Sequence, residues 1–221
     1  SSLDKYYSSL YIRYSYYLII MTIAANQCPP AAMRDTTSSN PQVCIQCLAG
    51  YNQGYLHFKW VDLITLAEDA EDRGKDFREA FQECIDYVIE TSPAMGADEW
   101  HYPDFQFLPH TFADEYMDID KIEEFIDELI SFRSHYANEL PDELFVWYLE
   151  NRGGDFDTFT DDYYGEYEDD EDVAAEWISN EHSQDDEALR YENAFDLQKF
   201  FDYELCYPNE TINGSTYYFK D

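Results

Sequence analysis

The stretch DIDKIEEFIDELISFR, residues 118–133, decides what the middle of the chain is built from. Ile119, Ile122, Phe125, Ile126, Leu129 and Ile130 recur at the three- and four-residue spacing that gathers side chains on one face of an α-helix. Asp120, Glu123, Glu124, Asp127 and Glu128 fall on the opposite face. An apolar stripe of that width calls for burial against neighbouring elements. The acidic face sets Asp120, Glu124 and Asp127 in a row, about 5–6 Å apart. Solvated helix faces usually intersperse Lys with Glu for mutual support, whereas Lys121 and Arg133 are nearly alone here.

Outward from this helix the pattern changes on both sides. Pro141 suits the first turn of a second helix, with Leu144, Phe145, Trp147, Tyr148 and Leu149 as its buried side. Asn151 and Gly153-Gly154 end it. Upstream, Asp76 to Glu90 carries Phe77, Phe81, Cys84, Ile85 and Val88 at helical spacing. Before that, Val43 to Leu48 reads as a strand, Gly50 to Gly54 supplies turn chemistry, and Tyr55 to Leu63 returns as a second strand. A small sheet with a helix laid across it is the expected result. Downstream, Val173 to Ile178 and Phe195 to Leu205 read as helical, and Ser215 to Phe219 alternates like a terminal strand. The fold class is α+β: an elongated chain of three small domains over 43–100 (sheet plus helix), 101–152 (helical) and 153–221 (α+β). An N-terminal extension, 1–42, precedes them; it is Tyr- and Ser-rich, then broken by Pro29-Pro30 and Asn40-Pro41, and Met21 is a candidate start. No 20–50-residue repeat is present.

Charge then narrows the function. The chain has 13 Lys and Arg against 48 Asp and Glu, a net charge of −35. Residues 1–43 hold Lys5, Arg13 and Arg34 against Asp4 and Asp35, so the rest of the chain carries −36. Direct nucleic-acid binding needs a basic footprint to neutralise phosphates, and this balance excludes it. Disorder is excluded as well, because 45% hydrophobic and 18% aromatic residues supply a core. Each buried Phe or Leu contributes roughly 1.5–3 kcal/mol, which offsets the repulsion among like charges. Duplex DNA carries one charge per ~1.7 Å of axis, so this excess matches roughly 60 Å of duplex, about 18 base pairs.

No enzyme emerges. The sequence has no phosphate loop, no GxSxG elbow and no HExxH, and its five His are scattered. Carboxylate pairs are too abundant to single out an acid–base couple. The segment Asp114 to Asp120 lacks the glycine turn and terminal Glu of a calcium loop. The five Cys lack a disulfide framework, and Cys44 and Cys47 form a lone CxxC that reads as two reduced side chains on a strand or turn. The sequons at Asn209 and Asn213 carry no weight in a reducing compartment. No cofactor or metal is expected. The longest apolar run, Tyr16 to Ala25, is about half of what a bilayer requires, and it is not followed by a clear cleavage site. The chain reads as cytoplasmic, with no membrane role.

The residues from Pro41 onward resemble the ArdA antirestriction family of mobile elements. The resemblance is carried by Pro41-Gln42-Val43-Cys44-Ile45 leading into Tyr51-Asn52-Gln53-Gly54, then Trp60-Val61-Asp62-Leu63. Glu99-Trp100, Asp104-Phe105 and Pro109 follow, and then Asp162-Tyr163-Tyr164-Gly165-Glu166-Tyr167 with Ala174 and Ala175. It implies an elongated three-domain homodimer shaped like bent B-form DNA, acting in a bacterial host cell. The implied partner is a type I restriction–modification enzyme, through its specificity and methyltransferase subunits. This chain departs from the family where Phe58 or Lys59 replaces the usual glycine before Trp60, and at Cys44 and Cys47. Residues 1–40 and the segment from His182 to Asn193 have no counterpart in the family.

The expected function is therefore a DNA mimic that occupies the DNA-binding groove of such an enzyme and competes with DNA. The carboxylates expected to stand for phosphates fall in three groups. Asp98, Glu99, Asp104, Asp114, Glu115 and Asp118 precede the central helix. Asp120, Glu123, Glu124, Asp127 and Glu128 lie on it. Asp161, Asp162, Glu166, Glu168, Asp169, Asp170, Glu171 and Asp172 form the third. The rival readings are a mimic aimed at another DNA-scanning defence system such as BREX, an acidic chaperone-like binder of basic proteins, and acidity that serves only solubility or salt tolerance.

Overall fold

The computed structural model describes residues 29–33, 38–112, 117–137, 139–181 and 196–220. The fold is α+β, with eight α-helices and two antiparallel sheets among the described residues. They divide into two compact units, with the boundary between Ile130 and Ser131.

In the first unit, strand β1 (Gln42–Cys47) lies at the centre of the sheet and is buried along its whole length. Strand β2 (Phe58–Asp62) pairs with one edge of it, Val43 opposite Val61 and Cys44 opposite Trp60. Two short strands share the other edge: β3 (Trp100–His101) pairs at Gln46 and Cys47, and β4 (Phe105–Gln106) at Gln42 and Val43. The expected hairpin is thus present, but Gly50 belongs to a short helix, α1 (Leu48–Asn52), rather than to an open turn. Cys47 starts that helix, its Sγ accepting the Gly50 amide at 3.3 Å. Cys44 is buried in the same strand as a free thiol whose pKa burial pushes up to about 12. Both cysteines of the CxxC are therefore buried structural side chains.

The return strand ends earlier than its hydrophobicity suggests. Leu63 begins a helix, α2 (Leu63–Arg73), because Asp62 caps it by accepting the Thr65 amide at 2.9 Å. Leu63, Leu66 and Ala70 of α2 face the core. Asp62 also accepts the Asn40 side-chain amide and the Ser38 hydroxyl, and Pro41 accepts the Leu63 amide at 2.9 Å. Residues 38–41 are thereby tied to the sheet, and the turn Ala31–Met33 packs on β2 and α2. Asp62→Ala is expected to destabilise the protein by about 2 kcal/mol, losing a cap and the bonds to the half-buried Ser38 and Asn40. Asp62→Asn, which retains capping, is expected to cost less; equal urea midpoints for the wild type and Asp62→Ala would refute this.

Helix α3 (Phe77–Glu90) begins at the Asp76 cap and buries Phe77, Phe81, Cys84, Ile85 and Val88, the five positions its spacing predicts. His57 anchors the strand region to the end of this helix. Its Nε2 lies 2.9 Å from the Val88 carbonyl and 3.1 Å from the Thr91 hydroxyl. Burial lowers the His57 pKa below its ordinary value; the Val88 bond opposes that shift and Lys59 adds to it. The unfolded chain therefore binds this proton more readily. The stabilising contribution is complete above the unfolded pKa and is lost as pH falls through the folded one. The stability advantage of the wild type over His57→Gln is expected to shrink between about pH 7 and pH 5. An advantage that stays constant across that range, measured by urea unfolding, would count against this linkage.

Helix α4 (Ile119–His135) follows. Ile122, Phe125, Ile126 and Leu129 are buried as expected, joined by Phe132. Ile119 is only half-buried and Ile130 is 37% exposed, in contrast to the sequence reading. Ile130 stands about 100° around the helix from Leu129, at the rim of the stripe.

In the second unit, α5 (Asp142–Asn151) begins after Pro141 and buries Leu144, Phe145 and Tyr148, with Trp147 and Leu149 at the margin. Helix α6 (Phe156–Asp162) is opened by a capping box in which Asp155 and Thr158 satisfy each other's amides. Its Phe159 lies in an aromatic core with Phe132, Phe145, Tyr148, Tyr163 and Phe219. Strand β5 (Tyr163–Tyr167) then leads to α7 (Asp170–Glu181). Gly165 in β5 admits no side chain freely, since a Cβ there would come within 2.6 Å of the Tyr167 ring.

The region expected to be helical from Phe195 is a single turn, α8 (Leu197–Phe200), continued by a π-helical turn over Phe201–Leu205. Strands β6 (Asn209–Ile212) and β7 (Ser215–Phe219) close the sheet in the order β5-β7-β6. Asn213 and Gly214, with φ of 55° and 94°, form their two-residue turn. Val173, Ala174, Phe201, Leu205 and Tyr218 make the accompanying core.

Candidate functional site

The acidic face of α4 is a direct product of its periodicity. With the apolar stripe turned inward, Asp120, Glu124 and Asp127 are exposed, and Glu123 and Glu128 sit half-buried beside them. Asp118 is exposed just before the helix and accepts the Asp120 amide at 3.1 Å. Across from the row, Arg78 of α3 pairs with Asp120. Burial raises the Glu123 pKa, and the negative charges of Asp127, Asp76 and Asp120 raise it further. Asp76, the α3 cap, is thus part of the same acidic field. The sequence does not group it with those carboxylates because 43 positions separate it from the start of α4.

The third group occupies a strand end and a helix start. Glu166, Glu168, Glu171 and Asp172 are exposed. Asp169 is exposed too, but its carboxylate accepts the Asp172 amide at 3.0 Å and so caps α7. Asp170, Glu171 and Asp172 lie in the first turn of α7, where the helix dipole favours negative charge. Asp170 is half-buried, accepting the Tyr218 hydroxyl at 2.9 Å and the Gln198 amide at 3.1 Å. Asp162 is likewise engaged, accepting the Tyr148 hydroxyl at 2.7 Å and pairing with Arg152 at 3.3 Å. Asp161 is exposed.

Asp98, Glu99 and Asp104 are exposed beside β3 and β4. Their backbones hold the sheet edge: the Glu99 carbonyl accepts the Leu48 amide and the Asp104 carbonyl the Cys44 amide, each at 2.9 Å. Asp114 and Glu115 lie outside the described residues.

Six of the nine Lys and Arg among the described residues are paired with carboxylates within the molecule. Arg73 pairs with Asp69 and Glu83, Lys75 with Glu83, Arg133 with Asp142, and Lys199 with Asp196. Together with Arg78 and Arg152 they leave a surface on which unbalanced carboxylates dominate. Such a surface can attract basic groups and raise their local concentration. Among the described residues, no group of three His, Cys, Asp or Glu is arranged to hold a metal ion, and no helix is long and apolar enough to cross a membrane.

The family model of the antirestriction protein ArdA matches residues 43–220 of the chain. No curated protein and no solved structure matches it.

Proposed function

The chain belongs to the ArdA antirestriction family, and from that premise we propose that it works as a DNA mimic against a type I restriction–modification enzyme. Members of the family are inhibitors of restriction rather than enzymes. In the proposed mechanism, carboxylates take the places of phosphates in the DNA-binding groove formed by the specificity and methyltransferase subunits. Lys and Arg of that groove then engage the protein in place of the duplex. An elongated, three-domain homodimer, with domains over 43–100, 101–152 and 153–221, is the form in which we propose it acts.

The observation that carries this reading is the row Asp120, Glu124 and Asp127. It is exposed along α4, repeats every three to four residues, and is backed by a buried stripe that fixes its orientation. Phosphate imitation requires a charge array of constant sign held by a rigid element, and a packed helix provides one. Asp120, Asp162 and Asp170 fit the role less well than their neighbours, since Arg78, Tyr148, Arg152 and Tyr218 already engage them.

The test is displacement of a labelled duplex from a type I enzyme at several salt concentrations. The protein is expected to displace the duplex stoichiometrically, and the logarithm of its affinity is expected to fall linearly with the logarithm of salt concentration. Affinity independent of salt would exclude phosphate imitation. Binding that leaves the duplex in place would exclude competition.

A further inference from the structure

A cavity of about 550 Å³ opens in the first unit between α3 and the segment entering β3. Phe81 and Ile85 line it from α3, and Trp100 and Tyr102 from the other side. The Trp100 indole N–H donates to the Tyr102 hydroxyl at 3.2 Å, which holds the two rings together. The Phe81 and Tyr102 rings lie 6.1 Å apart. Aromatic rings present negatively charged faces, and the carboxylate-bearing Asp98 and Glu99 belong to the same lining. Rings and carboxylates side by side form a receptor for a cation.

Arg78 also lines the cavity, but its guanidinium is bound by Asp120 and lies in the field of Asp118 and Glu123. An anion entering here would be repelled by the two lining carboxylates, Asp98 and Glu99, and would find the one lining cation already committed. A cation would be attracted by the same two carboxylates.

We infer that this cavity seats an arginine side chain projecting from the DNA-binding groove of the target enzyme. A planar guanidinium stacks on aromatic faces and bonds carboxylates through its fork of N–H donors, which a lysine ammonium does less well. The identity of the donor rests on the DNA-mimic reading; the cation specificity of the cavity does not. On DNA, phosphate contacts position a protein while contacts to bases specify. Trp100 and its neighbours would serve as the planar groups that the carboxylate rows lack, turning a diffuse charge match into a socket.

The experiment titrates the full chain with N-acetyl-arginine amide, N-acetyl-lysine amide and the uncharged isostere N-acetyl-citrulline amide. Indole N–H resonances report binding, and Trp100→Leu identifies the Trp100 signal. A saturable shift of that signal is expected with the arginine compound, a weaker one with lysine and none with citrulline. The charge-removing pair Asp98→Asn and Glu99→Gln is expected to weaken arginine binding about tenfold. No saturable shift, or an equal response to citrulline, overturns the socket. In duplex displacement, Trp100→Leu is expected to need about tenfold more protein while keeping the wild-type salt slope, because it removes no charge. Displacement by Trp100→Leu at wild-type concentrations overturns the anchor and leaves mimicry standing. Failure of the wild type to displace duplex overturns mimicry instead, and the titration still decides the cavity.

Discussion

Inhibition of a type I enzyme is expected to fall by on the order of a hundredfold or more when six exposed carboxylates are neutralised together. The six are Glu124 and Asp127 on α4, with Glu166, Glu168, Glu171 and Asp172 around the start of α7. Each contact with a basic groove is exposed and screened, so each contributes about 1 kcal/mol or less. Asp127→Asn alone is therefore expected to change inhibition by about fivefold at most. Six such losses compound, and the salt slope of binding falls with the number of ion contacts removed.

The choice of residues keeps the fold out of the result. Asp169, Asp170 and Asp162 are left intact because they cap α7 or hold Tyr218, Tyr148 and Arg152. Neutralisation also relieves repulsion within the acidic field that raises the Glu123 pKa. The dipole contribution of Glu171 and Asp172 to α7 is lost, a few tenths of a kcal/mol to about 1 kcal/mol. Urea unfolding of the six-fold variant is thus expected to stay close to the wild type. A distributed surface would be refuted if one single substitution abolished inhibition in a folded protein, or if the six-fold variant inhibited like the wild type.

What could be read in the chain beforehand followed from local periodicity. The stripe of α4 and the five buried positions of α3 need only their own spacing, and both helices carry it plainly. Helix α2 escaped because the apolar run from Phe58 continues through Leu63, Ile64 and Leu66 with no change in hydrophobicity. The available signal was Asp62 as a cap, with Leu63, Leu66 and Ala70 at helical spacing and Gly74 at the end. Asn213-Gly214 was likewise a hairpin signal between two alternating stretches, and its resemblance to a glycosylation sequon concealed it.

For the site, the exposed row on α4 was legible, whereas the roles of individual acids were not. Asp170 meets Tyr218 across 48 positions and Asp120 meets Arg78 across 42. No local pattern announces such partners. Composition shows that carboxylates are in excess, and only the tertiary structure separates those that hold the fold from those left exposed on the surface.

The second large effect is expected at Phe159, where no charge is involved. Its side chain is fully buried, and six rings surround it: Phe132 at 5.3 Å, Tyr136 at 5.8 Å, Phe145 at 5.7 Å, Tyr148 at 5.1 Å, Tyr163 at 5.5 Å and Phe219 at 5.7 Å. Most of these contacts are edge-on, the arrangement favoured by ring quadrupoles. Phe159→Ala removes the shared centre of these contacts and leaves a cavity that rigid rings cannot easily close. The cost is about 3–5 kcal/mol, against a total stability of about 5–15 kcal/mol for an ordinary domain. Self-repulsion from a net charge of −35 erodes that margin further. Phe159→Leu retains most of the volume and is expected to cost less than half as much. Urea unfolding of the three proteins measures this, and a Phe159→Ala loss below about 1 kcal/mol would show that the aromatic cluster is not the core of this unit. Function is expected to follow stability here. Phe159 lies on α6, which runs directly into β5 and the acidic segment from Glu166 to Asp172. Loosening that core scatters the carboxylates without removing any of them. Phe159→Ala is therefore expected to lose inhibition at a temperature where the wild type retains it. Added salt should not distinguish the two by charge, since both carry the same −35. If phosphates are imitated by position as well as by sign, an aromatic substitution far from any groove contact must weaken inhibition. If it does not, acidity alone suffices and the fold serves only to keep it soluble.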